Sequence, residues 1–130
     1  MKKIGSKLEN YKVEDGKRVT CTIDKTEKRF FVDAINTTDG IIIEVENAQT
    51  IYANKCYYDI FKACMINNVD YIVIAVPINY LWIKNKVKKP DNAEIVSDEV
   101  YEDASKDIEA IFKSRFGKRL PLKGILLIGY

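Results

Sequence analysis

The chain has 130 residues, of which 47% are hydrophobic and 31% are charged, and its formal net charge is +2. These values predict one folded domain over residues 1–130, with its core at about 19–116, and they exclude a disordered or strongly basic protein. Histidine is absent, which excludes His-based zinc sites, haem ligation by His and Ser/His or Cys/His nucleophile pairs. Acid, base and metal-ligand chemistry must therefore come from carboxylates, lysines or tyrosines.

Segments for membrane insertion or export are not evident. The apolar runs at 41–45 and 69–78 are too short to span a bilayer, and the opening "MKKIGSKLENYKVEDG" lacks the apolar region of a signal peptide. Cys21, Cys56 and Cys64 form no CxxC pair, so we interpret them as reduced core residues. We expect a cytoplasmic protein without a membrane partner.

The first part of the chain predicts a sheet. Residues 2–10 are compatible with a short leading helix. The segments "KRVTCTID", "RFFVDAI" and, after the turn "NTTDG", "IIIEVE" then predict a three-stranded meander, because they are short, alternating or β-branched runs separated by turn residues. Asp39-Gly40 is a strong turn dipeptide.

A helix and a buried strand are predicted next. Apolar residues recur at helical spacing between 52 and 66, at Ala53, Cys56, Tyr57, Ile60, Phe61 and Cys64. The run "VDYIVIAVP" at 69–77 predicts a strand buried on both faces, which we expect to be the central strand and to end at Pro77.

The last part of the chain predicts a loop, a helix and a strand. The lysine-rich stretch 83–95 is interpreted as a loop. Ser97 is interpreted as the N-cap of a helix that ends at Gly117, and "GILLIGY" at 124–130 as a closing strand. The predicted fold class is therefore α/β, a mixed sheet flanked by helices in the order (α)-β-β-β-α-β-α-β.

Two acids lie within the strand "IIIEVE". Because side chains alternate along a strand, Glu44 and Glu46 point to one face, and Ile41, Ile43 and Val45 point to the other. We expect the three apolar residues to face the core.

The preceding strand brings a third acid to the same face. If the hairpin turn is residues 38–39, Asp33 lies opposite Glu44; if the turn is 39–40, Asp33 lies opposite Glu46. In either register the opposed residues point the same way, with Cβ atoms about 5 Å apart.

Three carboxylates placed so closely repel one another unless a cation compensates them. Oxygen ligands without His or Cys suit Mg²⁺ or Mn²⁺ rather than zinc. The alternative is that the acids lie on the solvent face of a sheet covered on one side only. Ile42, which shares their face, weakens that alternative.

The pattern "VD" followed by "EVE", with Asp33 eleven residues before Glu44, resembles the PD-(D/E)XK nuclease superfamily. Over residues 30–78 the chain is most similar to the type II restriction endonucleases of the BamHI, BglII and BstYI group. The resemblance implies a restriction-endonuclease-like core and a Mg²⁺-dependent DNA endonuclease, with Mn²⁺ as a substitute. Asp33 and Glu44 would be metal ligands. Glu46 would occupy the usual lysine position, as a general base or a further ligand.

Auxiliary residues are suggested near these three. Glu9 could add a carboxylate from the leading helix, and Asn47 could contact phosphate or bend the strand end. Lys55 could supply the missing positive charge, although a solvated lysine is the simpler interpretation.

DNA is the partner that the resemblance implies, and a homodimer would allow both strands to be cut. Clustered basic residues are candidate phosphate contacts, or simply solvated faces: Lys84, Lys86, Lys88, Lys89, Arg115, Lys118 and Arg119. Tyr57, Tyr58, Tyr80 and Trp82 could stack on bases or pack in the core. Two other functions stay open: a structure-specific junction resolvase, and a non-catalytic binding or assembly module with this fold.

Overall fold

The computed structural model describes the backbone in five ranges: 12–13, 19–23, 26–47, 55–84 and 94–130. Its strands are β1 (Lys12–Val13), β2 (Val19–Ile23), β3 (Thr26–Phe30), β4 (Ala34–Asn36), β5 (Ile41–Val45), β6 (Tyr71–Val76), β7 (Tyr80–Lys84), β8 (Glu94–Asp98) and β9 (Gly124–Gly129). Its helices are α1 (Lys55–Met65), α2 (Val100–Lys113) and a 3₁₀ turn at Gly117–Arg119.

Among the described residues, the main sheet has five strands in the order β1-β4-β5-β6-β9. Strands β1, β4 and β5 pair antiparallel, whereas β5, β6 and β9 run parallel. Strands β2 and β3 form one separate hairpin, and β7 and β8 form another. This mixed sheet with two helices confirms the predicted α/β fold class.

The core lies between the main sheet and the two helices. Ile42, Ile72 and Ile74 of β5 and β6 are 0% exposed and cluster with Ile60 of α1 and Val100 of α2. Helix α1 connects β5 to the parallel strand β6, as a parallel pair requires a crossover. Both helices therefore cover the same face of the sheet.

The other face of the sheet is less covered. Tyr71 and Leu126, on β6 and β9, are 42% and 56% exposed. The prediction that residues 69–77 are buried on both faces was therefore wrong for one face. Strand β6 is an interior strand, paired with β5 on one edge and β9 on the other, although β5 is the middle one of the five described strands.

Strand β5 is turned the opposite way from our expectation. Ile42, Glu44 and Glu46 are buried beneath the helices, whereas Ile41 and Ile43, with Val45, are half-buried on the other face. The two acids do share a face, as predicted. The pattern alone could not show that the helices cover the acidic face.

The β4–β5 hairpin has the first of the two predicted registers. Ala34 pairs with Ile43 and Ile35 pairs with Ile42, which makes 38–39 the turn and places Asp33 opposite Glu44. Gly40, with φ of 67°, adopts the left-handed conformation that follows this turn.

The predicted three-stranded meander was wrong, because "RFFVDAI" is two strands rather than one. Strand β3 ends at Phe30 and pairs with β2, and β4 begins at Ala34 in the main sheet. The bend between them lets the Asp33 side chain, instead of a backbone carbonyl, accept a hydrogen bond from the Val45 amide at 2.7 Å.

Two predictions for the second half of the chain were also wrong. Of the predicted loop 83–95, residues 83–84 and 94–95 are strand instead, since Lys84 of β7 pairs with Glu94 of β8, and residues 85–93 lie outside the described part of the chain. Ser97 is not a helix N-cap, because it pairs with Leu81 in this hairpin. Helix α2 has Glu99 as its N-cap, without a side-chain capping bond, and it ends at Lys113, before Gly117.

The final predicted strand is confirmed as β9. The leading helix predicted at 2–10 lies outside the described residues. Within the described part of the chain, neither α1 nor α2 is long and apolar enough to cross a membrane.

Candidate functional site

Glu44 and Glu46 lie at the carboxyl end of β5. The Glu46 amide donates a hydrogen bond to the Ala75 carbonyl of β6 at 2.8 Å. The Tyr130 hydroxyl donates a hydrogen bond to the Glu46 carbonyl, also at 2.8 Å. The neighbouring strand and Tyr130 therefore fix the backbone that carries the second acid.

Helix α1 presents three charged residues to these acids. Lys55, Asp59 and Lys62 are four and three residues apart, so they lie on one side of a helix. Lys55 Nζ is 2.8 Å from Glu46 Oε1, and Lys62 Nζ is 2.5 Å from Glu44 Oε1. Lys62 Nζ is also 3.0 Å from Asp59 Oδ1. Ion pairs thus join α1 to the end of β5.

Three carboxylates converge at this point. One oxygen each from Glu44, Glu46 and Asp59 lie within 4.8 Å of one another. The three residues are 4%, 2% and 0% exposed. They therefore do not lie on a solvent-facing side of the sheet, which was the alternative to a metal site.

Lys62 is the buried cation of the cluster, at 3% exposure. Its Nζ donates a hydrogen bond to the Phe31 carbonyl at 2.9 Å and lies 5.6 Å from the centre of the Tyr58 ring. Burial by itself would lower the pKa of Lys62, but the charges of Glu44 and Asp59 outweigh it and raise the pKa. Lys62 is therefore protonated at neutral pH.

The buried acids are hard to ionise without a further cation. Burial raises the pKa of Glu44 to about 8, although Lys62 opposes the shift. Burial, followed by the neighbouring Glu46 carboxylate, raises the pKa of Asp59 to about 7. Proton binding and metal binding therefore compete for the same oxygens.

Asp33 lies beside this cluster rather than within it. Its Oδ2 accepts the hydrogen bond from the Val45 amide, and the side chain is half-buried. Its charge also contributes to the raised pKa of Glu44. Asp33 is therefore on the acidic face, as predicted, but one of its oxygens is already engaged by the strand.

A cavity of about 320 Å³ opens onto the cluster. Its lining residues are Arg29, Phe30, Phe31, Asp33, Glu44, Val45, Glu46, Asn47, Lys55, Tyr58 and Lys62. The Lys55 side chain is 35% exposed, in contrast to 3% for its partner Glu46. Lys55 therefore lies between the buried acids and solvent.

The residues of this site fit a divalent cation. Asp33, Glu44, Glu46 and Asp59 carry four negative charges when ionised, and Lys55 and Lys62 return two positive ones. Both Asp59 oxygens and Glu44 Oε1 are buried without a hydrogen bond of good geometry from the described residues. The site then has a net charge of two negative units, and hard carboxylate oxygens with this charge suit Mg²⁺ or Mn²⁺.

The other predicted site residues are more dispersed. Asn47 lines the cavity and is exposed, and Lys55 is paired with Glu46 rather than simply solvated. Arg115, Lys118 and Arg119 are exposed beyond the end of α2. The side chain of Lys84 is not described, and Glu9, Lys86, Lys88 and Lys89 lie outside the described residues.

The aromatic candidates have different environments. Tyr58 lines the acidic cavity, whereas Tyr57 and Tyr80 pack against the core. The backbone of Trp82 belongs to β7, but its side chain is not described.

Sequence reasoning missed Asp59 and Lys62. The signal was available in "KCYYDIFK", where Lys55, Asp59 and Lys62 form a charged stripe beside the apolar one. A charged stripe is usually solvated. Only the contact of α1 with the acidic face of β5 makes this stripe part of a buried site.

No protein-family model, curated protein or solved structure matches this chain. The resemblance to PD-(D/E)XK nucleases therefore stays a prediction, and functional inference depends on the geometry of the site.

Proposed function

We propose that this protein is a Mg²⁺-dependent DNA endonuclease that hydrolyses phosphodiester bonds, with a PD-(D/E)XK-like centre. One observation carries the proposal: the carboxylates of Glu44, Glu46 and Asp59 lie within 4.8 Å of one another, buried beneath an open cavity. Lys55 and Lys62 compensate two of the carboxylate charges around the cavity, and a divalent cation would compensate the other two when all four acids are ionised. A metal held by these oxygens at the base of a solvent-accessible cavity can contact a substrate phosphate.

Glu44, Glu46 and Asp59 would hold the metal, with the free oxygen of Asp33 as a further ligand. Such a metal, when bound, polarises a scissile phosphate and lowers the pKa of a water molecule. Glu46 is paired with Lys55, which borders solvent, and it occupies the position of the usual motif lysine, so we assign it the role of accepting the water proton.

We propose that Lys62, on α1, replaces the lysine that the PD-(D/E)XK motif usually has at the position of Glu46. Its ammonium group is 2.5 Å from Glu44 and 3.0 Å from Asp59. It therefore holds two of the proposed ligands in place and supplies buried positive charge beside them. Lys55, at 35% exposure, and Arg29, which also lines the cavity, are the cations that an incoming phosphate can reach.

Binding of the DNA backbone would use exposed basic residues. Arg115, Lys118 and Arg119 are exposed in the described part of the chain, and Lys84, Lys86, Lys88 and Lys89 remain candidates. Such contacts make binding weaker as salt rises. A homodimer would present two centres and cut both strands.

The test is nicking of supercoiled plasmid with Mn²⁺ or Mg²⁺, comparing wild type, Glu44→Gln and Glu102→Gln. We expect Glu44→Gln to lower the rate at least about 100-fold, because it removes a ligand charge. Glu102, which is exposed on α2, is the matched control and should leave the rate unchanged. Cleavage that survives Asp33→Ala and Glu44→Ala together would contradict the proposal.

One observation favours the non-catalytic module as second candidate. Lys62 and Lys55 already pair with Glu44 and Glu46, so the cluster can persist with lysines as its cations. A non-catalytic module should bind DNA with an affinity that Mn²⁺ does not change, and it should nick no substrate. A four-way junction in the same assay separates a resolvase from an enzyme that cuts linear duplex.

A further inference from the structure

A second concave surface lies between α1 and α2, and the proposed metal site does not use it. It is an apolar groove of about 280 Å³, lined by Tyr57, Ile60, Phe61, Ala110, Ile111, Ser114 and Phe116. Tyr57 and Phe61 are four residues apart, on the side of α1 opposite to Asp59 and Lys62. One helix, about 10 Å wide, therefore separates the groove from the acidic cavity.

Two aromatic rings form the exposed part of the groove. Phe61 and Phe116 are 49% and 44% exposed, although phenylalanine is normally buried. Their ring centres are 5.0 Å apart and their planes are tilted by 36°. The pair therefore presents aromatic surface to solvent.

The turn that carries Phe116 has a fixed shape. A Cβ atom added at Gly117 would lie 2.1 Å from the Ile111 carbonyl oxygen and 2.7 Å from the Phe112 Cα. The Gly117 amide also donates a hydrogen bond to the Ser114 hydroxyl at 3.1 Å. Only glycine allows this approach, so the position of Phe116 at the groove is built into the backbone.

Exposed basic residues flank Phe116 in the chain. Arg115, Lys118 and Arg119 are exposed and form no ion pair with any side chain in the described ranges. In contrast, nearby Lys113 pairs with Glu109 at 2.5 Å, and Lys123 pairs with Asp70 at 2.7 Å. Because Arg115, Lys118 and Arg119 have no ion-pair partner within the described ranges, we take them as available for an anionic ligand.

We propose that this groove binds unpaired nucleotides of a single-stranded DNA arm. Bases would stack on Phe61 and Phe116, and phosphates would contact Arg115, Lys118 and Arg119, which is how aromatic residues and cations combine in single-strand binding. The inference rests on the proposed function, because it gives the nuclease a branched or partly single-stranded substrate. An acidic peptide could use the same charges but has no bases to stack.

The test is fluorescence anisotropy in EDTA with two probes of equal charge, about a dozen nucleotides long. One is oligo(dT), and the other is an abasic oligonucleotide with the same phosphates. We expect wild type to bind oligo(dT) about tenfold more tightly, because only this probe can stack. Equal affinity for the two probes would overturn the inference.

Three variants locate the effect in the groove. Phe116→Leu keeps apolar volume without the ring and should abolish the preference for oligo(dT), whereas Phe116→Tyr should keep it. Phe112→Leu is the matched control, because Phe112 is also exposed, at 46%, on α2 but does not line the groove. Equal loss in Phe112→Leu and Phe116→Leu would contradict the assignment.

The cations are tested by Arg115→Gln, Lys118→Gln and Arg119→Gln combined. This variant should weaken both probes equally and reduce the slope of log K against log salt by up to about 2, near 0.7 per lost contact. An unchanged slope would show that Arg115, Lys118 and Arg119 do not contact the phosphates. Binding of an acidic peptide with no binding of either probe would assign the groove to a protein partner instead.

These measurements are independent of the metal site. Glu44→Gln should bind oligo(dT) like wild type, since the assay contains no metal and needs no cleavage. If the protein nicks plasmid but binds oligo(dT) and the abasic probe equally, the proposal for the groove is wrong and the nuclease function stands. If the protein prefers oligo(dT) but cleaves neither plasmid nor a four-way junction, the nuclease function is wrong and the proposal for the groove stands.

Discussion

Lys62 Nζ lies 2.5 Å from Glu44 Oε1, and the two side chains are only 4% and 5% exposed. This ion pair joins α1 to β5 inside the protein. Each charge offsets the desolvation penalty of the other. Removing one side chain should therefore lower the free energy of unfolding, because the remaining charge stays buried without a partner.

Lys62→Met should therefore destabilise the protein by about 3 kcal/mol. The loss should be larger above the Glu44 pKa of about 8 than below it, because a protonated Glu44 needs no cation. Urea denaturation at a higher and a lower pH measures both effects. Lys106→Met, at a lysine that is 63% exposed in its ion pair with Glu102 on α2, should leave stability nearly unchanged, because solvent screens this pair. Equal losses in the two variants would refute the interpretation.

The metal-free protein should become less stable as pH rises from about 4 to about 8. Burial raises the pKa of Glu44 from 4.5 to about 8 and that of Asp59 from 3.8 to about 7. Within this range the folded state binds more protons than the unfolded chain, so stability falls with pH, by up to about 1.4 kcal/mol per pH unit for each group.

Urea denaturation in EDTA at several pH values checks this dependence. Glu44→Gln should flatten it, because its amide does not titrate. Glu27→Gln, at an exposed residue, should not. A parallel pH dependence in wild type and Glu44→Gln would show that the buried acid is not its source.

Mn²⁺ should stabilise the wild-type fold. A ligand present at about 100 times its Kd adds about 2.7 kcal/mol, a rise in Tm of several degrees for a domain of this size. Differential scanning calorimetry with and without Mn²⁺ should show the rise in wild type and Glu102→Gln. The rise in Tm should be absent in Asp59→Asn, because this variant loses the carboxylate whose two oxygens are both buried without a hydrogen bond of good geometry from the described residues. A rise retained in Asp59→Asn would exclude Asp59 as a ligand.

Tyr130→Phe should weaken the site without removing a charge. The Tyr130 hydroxyl donates a 2.8 Å hydrogen bond to the Glu46 carbonyl, and its loss should cost about 1 kcal/mol of stability. We expect weaker Mn²⁺ binding, measured by isothermal titration calorimetry, because Glu46 is less well positioned. Tyr71→Phe, at a tyrosine that is 42% exposed on the less covered face of the sheet, is the control. Unchanged Mn²⁺ affinity in Tyr130→Phe would show that this hydrogen bond does not position the ligand.

Much of the fold was predictable because local patterns determine it. Alternation placed Glu44 and Glu46 on one face, and the turn arithmetic restricted Asp33 to two registers, one of which the structure has. The β9 strand followed from its apolar run. The single strand predicted at 29–35 failed because the bend at Asp33 depends on a hydrogen bond to Val45, which is twelve residues away.

The sequence by itself determined the α/β class, the shared face of the acids and the restriction to carboxylate and lysine chemistry, since these depend on composition and on spacing along one element. Only the tertiary structure decided that α1 covers the acidic face of β5 and brings Asp59 and Lys62 to Glu44. The reason is physical. A buried charge cluster depends on contacts between elements, and its desolvation and pKa shifts arise only after α1 packs on the sheet.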